Sequence, residues 1–532
     1  MKKLPVDVSS FPLMIRDNYL YIDKTKNIYD LITRRRLYFL SRPRRFGKSL
    51  LISTLKEIFT GNKALFKDLW IGKHSDYLWP KHPVIQLDFS DLSFETSQEF
   101  KINLSRNLEK IGASFGIDIS KEPLINIKIQ TLIEELSKKN KVVILIDEYD
   151  APLLNNLDNQ TIAQAIQKVM KLFFSTIKSM DARDYIHAIF ITGVTKFSKT
   201  SLFSGFNNLN DVTLSPEAAT LLGYTKEELE TYFKEYIDQF AQKENSSPQQ
   251  TINIITQWYN GYRFSRDERT VFNPYSVLHC FDNKYIDNYW LNTGTPGFLI
   301  ELLKNKYGTM EDLKSLKVPS EFLGSFELGT LPLIAILYQA GYLTLDTYDS
   351  ETREYTLKYP NEEVGLSFKK YIVASLIQSD QRNVDAALSQ LKDALEENDL
   401  EQFCTIVKSL IAGIPYQLHG KNEGYYHSLL HLIADMIGID GRSEITTSEG
   451  RIDFAAQTKS RIFVCEFKYN SEARRSLWRR RGTPKIALDQ IIKKNYALKY
   501  ERFKKPTTLV GIAFNAKRKA FDVQWIAQEY KK

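Results

Sequence analysis

The stretch Leu37-Tyr-Phe-Leu-Ser-Arg-Pro-Arg-Arg-Phe-Gly-Lys-Ser49 decides how the first half of this 532-residue chain is read. Its opening residues are apolar and make a short buried strand. Gly47, Lys48 and Ser49 close a loop, and the apolar-periodic run at 50–59 reads as the helix they open. A phosphate-binding loop needs that order. Small residues let backbone N–H groups point at phosphate oxygens, and a lysine and a hydroxyl residue follow at a helix start. In this pattern Lys48 bridges the β- and γ-phosphates of ATP and Ser49 ligates Mg²⁺. One departure is plain: Arg42 stands where GxxxxGK[ST] has its first glycine. A lone Gly-Lys-Ser is a weak signal, so the surrounding chain has to decide.

Working outward, further strands are expected at Val84-Ile-Gln-Leu-Asp-Phe89, Val142-Val-Ile-Leu-Ile146 and Ala188-Ile-Phe-Ile-Thr192, with a fifth at Val212-Thr-Leu214. The third is almost continuously apolar, as a strand covered on both faces is. Amphipathic stretches at 99–111, 127–137 and 162–180 lie between them. That alternation predicts an α/β parallel sheet with right-handed crossovers. The third strand runs into Asp147-Glu148, the pairing in which Asp147 holds Mg²⁺ and Glu148 polarises an attacking water. A capping turn is the plainer reading of Asp147-Glu-Tyr-Asp150. It does not explain a position roughly 100 residues after a Gly-Lys-Ser loop. Thr192 ends the next strand, either sensing the γ-phosphate or as an ordinary strand-end hydroxyl. Arg44 and Arg45 either neutralise phosphate charge or face solvent. No arginine finger is assigned; Arg183 and Arg263 are the candidates considered.

Tyr21-Ile-Asp-Lys-Thr25 and the loop Ser41-Arg-Pro-Arg-Arg-Phe-Gly-Lys-Ser-Leu50 together resemble the AAA-ATPase-like family of Bacteroides-type and other anaerobic bacteria. The resemblance continues through Leu145-Ile-Asp-Glu-Tyr-Asp150, Ile191-Thr-Gly-Val194 and Phe203-Ser-Gly-Phe-Asn-Asn208. Trp258-Tyr-Asn-Gly-Tyr262 and Tyr289-Trp-Leu-Asn-Thr-Gly294 extend it across the N-terminal half. In that family the RPRRFGKS loop is normal, which implies that Arg42 is a family trait. Brisk hydrolysis of ATP does not follow from the resemblance; binding alone is compatible with it.

From about residue 215 the pattern turns helical, clearest at 226–243 and 249–259, with turns at Asn273-Pro274 and 293–297. A helical run at 333–340 leads to Leu343-Thr-Leu345 and Tyr355-Thr-Leu357, a hairpin of a winged-helix-like lid. Residues 383–410 read as a helical connector. The expected domains are an ATPase-like domain at 1–215, a lid at 216–345, a connector at 346–420 and a nuclease-like domain at 421–532. In this last domain a helix at 425–437 precedes strands at 452–454, 462–467 and 508–514, with a helix at 486–500 between the last two.

Cutting a phosphodiester with a metal needs carboxylates for the ion and a lysine to position or activate water. Gly450-Arg-Ile-Asp453 followed by Val464-Cys-Glu-Phe-Lys468 supplies them. The two-residue period of a strand puts Glu466 and Lys468 on one face with Val464, and Cys465 and Phe467 on the other. An ordinary Glu466–Lys468 salt bridge is the bland alternative. The spacing resembles the PD-(D/E)xK nuclease superfamily in the version fused behind this ATPase, with Arg451, Asp453, Glu466, Lys468, Gln490 and Tyr496 meeting its pattern. That resemblance implies Asp453 and Glu466 as ligands for Mg²⁺ or Mn²⁺, Lys468 as base or charge stabiliser, and Gln490 orienting the site. Glu423 is a weaker third carboxylate. His427 and His431 read as a surface pair, because no third ligand is apparent. Arg474-Arg-Ser-Leu-Trp-Arg-Arg-Arg481 suits nucleic acid through stacking and phosphate contacts, or is a solvated loop.

Composition agrees without deciding. Residues 421–532 carry 23 Lys and Arg against 12 Asp and Glu, a surplus larger than the whole chain's +8. Such a basic end suits nucleic acid, DNA first, or merely keeps the surface soluble. Cys280, Cys404 and Cys465 lie far apart without Cys/His clustering, which speaks against zinc and a disulfide framework. No apolar run reaches the ~18 residues of a membrane span, nor does the start read as a signal peptide. A cytoplasmic bacterial protein with no membrane partner is expected, with homo-oligomerisation left open. The leading reading is an ATP-binding protein, hydrolysing it in the fuller version, coupled to Mg²⁺-dependent cleavage of nucleic acid. Its rival is a nucleotide-dependent switch or nucleic-acid-binding factor with an inactive nuclease-like domain. A third reading is an ATPase acting on a protein partner.

Overall fold

The computed structural model describes residues 1–92, 95–157, 159–197, 202–203, 206, 208–290, 316–324, 332–377, 379–412, 432–433, 436–437, 442–447, 450–471, 482–517 and 520–531. Outside them lie Glu423, His427, His431, the turn at 293–297, most of the expected 425–437 helix and the whole 474–481 loop. The chain divides into two compact units, residues 1–298 with 313–365, and residues 299–312 with 366–532.

In the first unit β1 (Leu37–Ser41), β2 (Val84–Asp88), β3 (Val142–Asp147), β4 (Ile186–Gly193) and β5 (Asn210–Asp211) form a parallel sheet in the order β2-β3-β4-β1-β5. Every residue of β3 is buried, as its unbroken apolar run requires. The helices of this part are α1 (Phe11–Arg16), α2 (Thr25–Arg34), α3 (Lys48–Phe59), α4 (Trp70–His74), α5 (Ser97–Ser114), α6 (Ile125–Ser137), α7 (Ala151–Leu154) and α8 (Gln160–Ala182). One core cluster joins α1, α2 and α3 to the sheet through Phe11, Ile28, Leu55 and Leu145. Elsewhere Phe89, beyond the tip of β2, meets Phe100 of α5 and Phe173 and Phe174 of α8. A capping box of Thr96 and Glu99 starts α5, and the Asn159 side chain caps α8.

The fifth strand lies two residues earlier than expected, at 210–211 rather than 212–214. The reason is local. Thr213 leaves the ladder because its hydroxyl accepts from the Ser41 N–H at 3.1 Å and its carbonyl from Arg42 at 2.8 Å.

Beyond the sheet, α9 (Lys226–Tyr232), α10 (Lys234–Lys243), α11 (Pro248–Tyr259) and α12 (Pro274–Asn283) enclose a core of Leu229, Phe233, Ile255, Val277 and Phe281. The expected single helix at 226–243 breaks at Phe233, whose buried ring stacks on Phe281 at 5.3 Å. A ribbon of β6 (Tyr262–Arg263) and β7 (Thr270–Val271) follows α11. After it come β8 (Leu316–Pro319), α13 (Leu333–Ala340), β9 (Thr344–Asp349) and β10 (Glu354–Lys358). The expected hairpin is β9–β10, and β8 joins it in an antiparallel sheet ordered β8-β10-β9.

Along the chain α14 (Glu362–Leu376) carries the backbone into the second unit, followed by α15 (Gln381–Glu396) and α16 (Leu400–Ala412). There β11 (Arg442–Thr447), β12 (Gly450–Gln457), β13 (Ile462–Ser471), β14 (Thr507–Lys517) and β15 (Ala520–Glu529) form one sheet in chain order. All neighbours are antiparallel except β13 and β14, whose parallel pairing needs a crossover. Helix α17 (Pro484–Lys493) supplies it. The expected 486–500 helix therefore ends early. Asn495 takes a left-handed φ of 45° and turns the chain into a 3₁₀ helix at Tyr496–Phe503. No helix among the described residues is long and apolar enough to cross a membrane.

At the start of β4 the imidazole of His187 stacks on that of His82, with centroids 3.9 Å apart and 15° between planes. Burial, His82 and the nearby Arg36 and Lys141 pull the His187 pKa down to about 4. An unfolded chain takes up that proton first, so stability is whole above the ordinary histidine range and is lost as pH falls from 6.5 towards 4. Because the ring is only half-buried, solvent screening trims the expected loss between pH 7 and pH 5 to about 1 kcal/mol from this residue. Urea unfolding of the wild type and of His187→Phe at the two pH values checks it; the variant should lose correspondingly less.

Candidate functional site

The first site is built where β1 ends. Gly47 takes a φ of +90° and caps α3, a conformation that only glycine adopts without strain. Lys48 is buried, and its Nζ donates to the carbonyls of Arg42 at 3.2 Å and Pro43 at 3.0 Å. Ser49 follows in the first turn of α3. The helix start thus gathers backbone N–H groups, a cation and a hydroxyl, which is the donor set a polyphosphate requires.

Arg42 does not face that space. Its buried guanidinium donates to the carbonyls of Ser41, Thr213 and Ala218 at 2.7–2.8 Å and lies 4.1 Å over the Phe264 ring. Burial lowers its pKa to about 10, which leaves it charged at neutral pH. Phe46 is equally buried, edge-on to Tyr262 at 4.7 Å and Phe264 at 5.4 Å. The indole of Trp290 donates to the Arg44 carbonyl at 3.1 Å. Arg45 is exposed, takes a φ of 67° and sets its guanidinium over Tyr275. The loop is held by side chains where a glycine-rich loop relies on backbone freedom.

Strand β4 lies between β1 and β3, with Leu40 opposite Thr192 and Ile146 opposite Ile191. The loop strand and the acidic strand are therefore two spacings apart, about 10 Å. Asp147, at the buried tip of β3, accepts hydrogen bonds from the Thr192 hydroxyl and, at 3.1 Å, from the Glu148 N–H. Glu148 holds a left-handed φ of 46°, the kind of backbone strain that persists where the surroundings over-determine it. Asp150 turns inward. Its carboxylate accepts from the N–H groups of Val194 and Thr195 and from the Thr195 hydroxyl, and burial raises its pKa.

Sequence reasoning passed over Asp88. It ends β2 in register with Asp147 and accepts from the Ser90 N–H and hydroxyl at 2.8 and 2.7 Å. Burial pushes its carboxyl up to about 6, with Asp147 and Asp91 adding to the rise. The available signal was an acidic residue ending an apolar strand; the adjacency of the two tips is invisible in one dimension. Neither arginine-finger candidate is placed to serve this site from within the same chain. The Arg263 guanidinium is spent on the carbonyls of Ser265, Arg266, Asp267 and Asp346. Arg183 caps the end of α8, before β4 begins, and Thr192 lies about 20 Å along that strand. A cavity of about 70 Å³ opens beside Phe46 and Gly47, walled by Leu20, Ile22, Leu222 and Tyr224.

The second site sits where β12 and β13 part. Their last paired residues towards it are Phe454 and Cys465. One step on, the Asp453 carboxylate accepts from the Phe467 N–H at 2.7 Å. Glu466 is buried, and its Oε1 accepts from Lys468 Nζ at 3.0 Å and from the Gln490 amide of α17. The expected faces are found. Ile462 and Val464 pack with Leu488 and Ile491 of α17, while Phe467 joins Phe403 and Cys404 of α16 across the sheet. Gly511 stands opposite Glu466 on β14, and a Cβ there would meet the Pro484 carbonyl at 2.0 Å. Its bareness lets α17 lie close enough for Gln490 to reach Glu466. Tyr496 is a core residue beside Leu488 and Ile491. Asp453, Glu466, Lys468 and Gln490 are thus gathered at one place, while Glu423 and the arginine-rich loop fall outside the described residues.

Residues 5–203 match the AAA-ATPase-like family, described as a predicted AAA-ATPase. The chain belongs to that family. Behind its AAA-ATPase-like part, residues 421–524 match the PD-(D/E)XK nuclease superfamily. An uncharacterised protein encoded in the vnfD 5′ region of Azotobacter chroococcum is 33% identical over 526 residues, 97% of this chain and 96% of its own. The solved ORC2 protein of Aeropyrum pernix aligns with 63% of this chain and 87% of its own at 11% identity and a TM-score of 0.23, too slight a likeness to argue from.

Because Arg42 is buried and bonded, Arg42→Gly, which restores the usual first glycine, is expected to destabilise the AAA-ATPase-like unit by about 2–4 kcal/mol. A fall in its unfolding midpoint in urea checks this; an unchanged midpoint would contradict the role drawn for the guanidinium.

Proposed function

We propose that this AAA-ATPase-like protein binds and hydrolyses ATP and couples that cycle to metal-dependent cleavage of nucleic acid, DNA in the first instance. The observation that carries the reading is the gathering of Asp453, Glu466, Lys468 and Gln490 where β12 and β13 separate. Two carboxylates at a strand fork offer the oxygen donors that suit Mg²⁺ or Mn²⁺. Such an ion, when bound, supplies Lewis-acid charge to a phosphodiester oxygen. Lys468 then holds or moves a proton at the attacking water, and Gln490 fixes the Glu466 carboxylate in the orientation that faces substrate. The basic surplus of residues 421–532 favours a polyanionic substrate.

In the N-terminal site Lys48 exchanges its two loop carbonyls for phosphate oxygens. Gly47 and the start of α3 offer N–H groups to the same phosphates, with Arg44 and Arg45 adding positive charge at the rim. Ser49 and Asp147 have the oxygen chemistry for Mg²⁺. Glu148 orients water for attack, Thr192 reports on the terminal phosphate through its bond to Asp147, and Asp88 adds a second carboxylate beside them. The apolar cavity next to Gly47 takes the nucleotide base.

Lys468→Ala is expected to abolish Mg²⁺-dependent cleavage of plasmid DNA, by 100-fold or more, while leaving nucleotide binding intact (about 10² is typical of a lost proton-handling group). Full activity in that variant would sink the nuclease reading and leave a nucleotide-dependent binding factor. Independently, Lys48→Ala should lose binding of a fluorescent ATP analogue, measured by anisotropy, with the second unit still folded.

A further inference from the structure

The face of the sheet covered by α5, α6 and α8 carries a groove that the ATPase and nuclease readings do not use. It runs between α5 and α8 past the start of α6, with an open volume of about 730 Å³. A helix of 10–12 Å diameter advances 5.4 Å per turn, so this space holds roughly one to two turns. Its walls are two helical stripes. Gln98, Lys101, Ile102, Ser105 and Arg106 recur at three- and four-residue spacing on α5, and Ala165, Lys168, Val169 and Leu172 do so on α8.

Large apolar side chains stand open there. Ile102 is 41% exposed, Leu172 52% and Leu124, at the head of α6, 54%. Exposed leucines scattered singly need no explanation, but three converging on one groove mark an interaction surface. The rim is cationic. Lys101, Arg106 and Lys168 are exposed, and no carboxylate among the described residues lies within ion-pair distance of them. The acidic residue in the groove, Glu109, is already neutralised by Lys128 at 2.5 Å.

We propose that this groove docks an amphipathic helix of a partner protein, with leucine-like anchors on one face and acidic residues flanking them. The floor disfavours a single-stranded polyanion. A single strand would ask for exposed rings, whereas the groove's aromatic residue, Phe173, is buried and the open side chains Ile102, Leu124 and Leu172 are aliphatic and spaced to interdigitate with a third helix. Acidic flanks answer Lys101, Arg106 and Lys168, and screening makes the association salt-sensitive.

The test pans a displayed library of random 18-residue peptides against the full-length protein, then measures the recovered peptides by fluorescence anisotropy. Apolar residues at three- and four-residue spacing with acidic flanks are expected. Binding should weaken at least tenfold in Leu172→Lys and in Lys101→Glu/Lys168→Glu, all three exposed positions whose variants should melt like the wild type. Recovered sequences that are basic or aperiodic, or that bind these variants unchanged, overturn the proposal. Sedimentation showing a concentration-dependent dimer that Leu172→Lys dissolves would overturn it too, by making a second copy the occupant. Competition by single-stranded DNA at the same variants would do so in favour of nucleic acid.

Discussion

A carboxylate taken out of water must be met by donors or it gives up its charge, and both units of this chain are organised around that constraint. Asp147 is met by Thr192 and the Glu148 N–H, Asp150 by the turn at Val194 and Thr195, and Glu466 by Lys468 and Gln490. At the head of α14, Glu363 accepts from the Trp290 N–H at 2.7 Å and the Ser276 hydroxyl at 2.8 Å, and burial still pushes its pKa up to about 7. Thr192, the Val194–Thr195 turn, Gln490, Trp290 and Ser276 each come from a different part of the chain than the acid they serve, while Lys468 shares β13 with Glu466 and Glu148 directly follows Asp147. Settling the charge therefore fixes the relative placement of strands, loops and helices.

The phosphate-type loop shows the same economy by other means. A glycine at position 42 would leave shape to backbone freedom; Arg42 instead binds three carbonyls and an aromatic face. Phe46 and the carbonyl of Arg44 are gripped by Tyr262, Phe264 and Trp290 from beyond the sheet. The loop is consequently packed as part of the helical region of its own unit. Trp290 connects it onward to Glu363, so the charge state of a buried acid and the position of a loop carbonyl share one indole-bearing residue.

In the second unit the proposed site depends on one change of strand direction. Antiparallel β12 and β13 separate beyond Phe454 and Cys465, while β13 continues in parallel register with β14 as far as Ser471. That leaves Asp453 and Glu466 near one another at the fork. The crossover helix then has to lie almost on β14, and the missing side chain at Gly511 permits it.

Much of this was legible in order along the chain. The unbroken apolar runs of β1, β3 and β4, the Gly-Lys-Ser helix start, the acid at the end of β3 and the period-two Glu466-x-Lys468 pair are local patterns, and local physics makes them what they are. The polar strand β11, the break at Phe233 and the shift of β5 were not legible, because pairing, ring stacking and the demands of Arg42 override local preference there. Adjacency was hidden for the same reason. That β4 separates the loop from Asp147 and that Asp88 stands beside it are consequences of strand order, while Gln490's reach to Glu466, implied beforehand only by the family resemblance, follows from helix seating. The sequence by itself determined which residues carry charge and period; only the packed sheets decided which of them meet, since contacts between distant residues follow from topology.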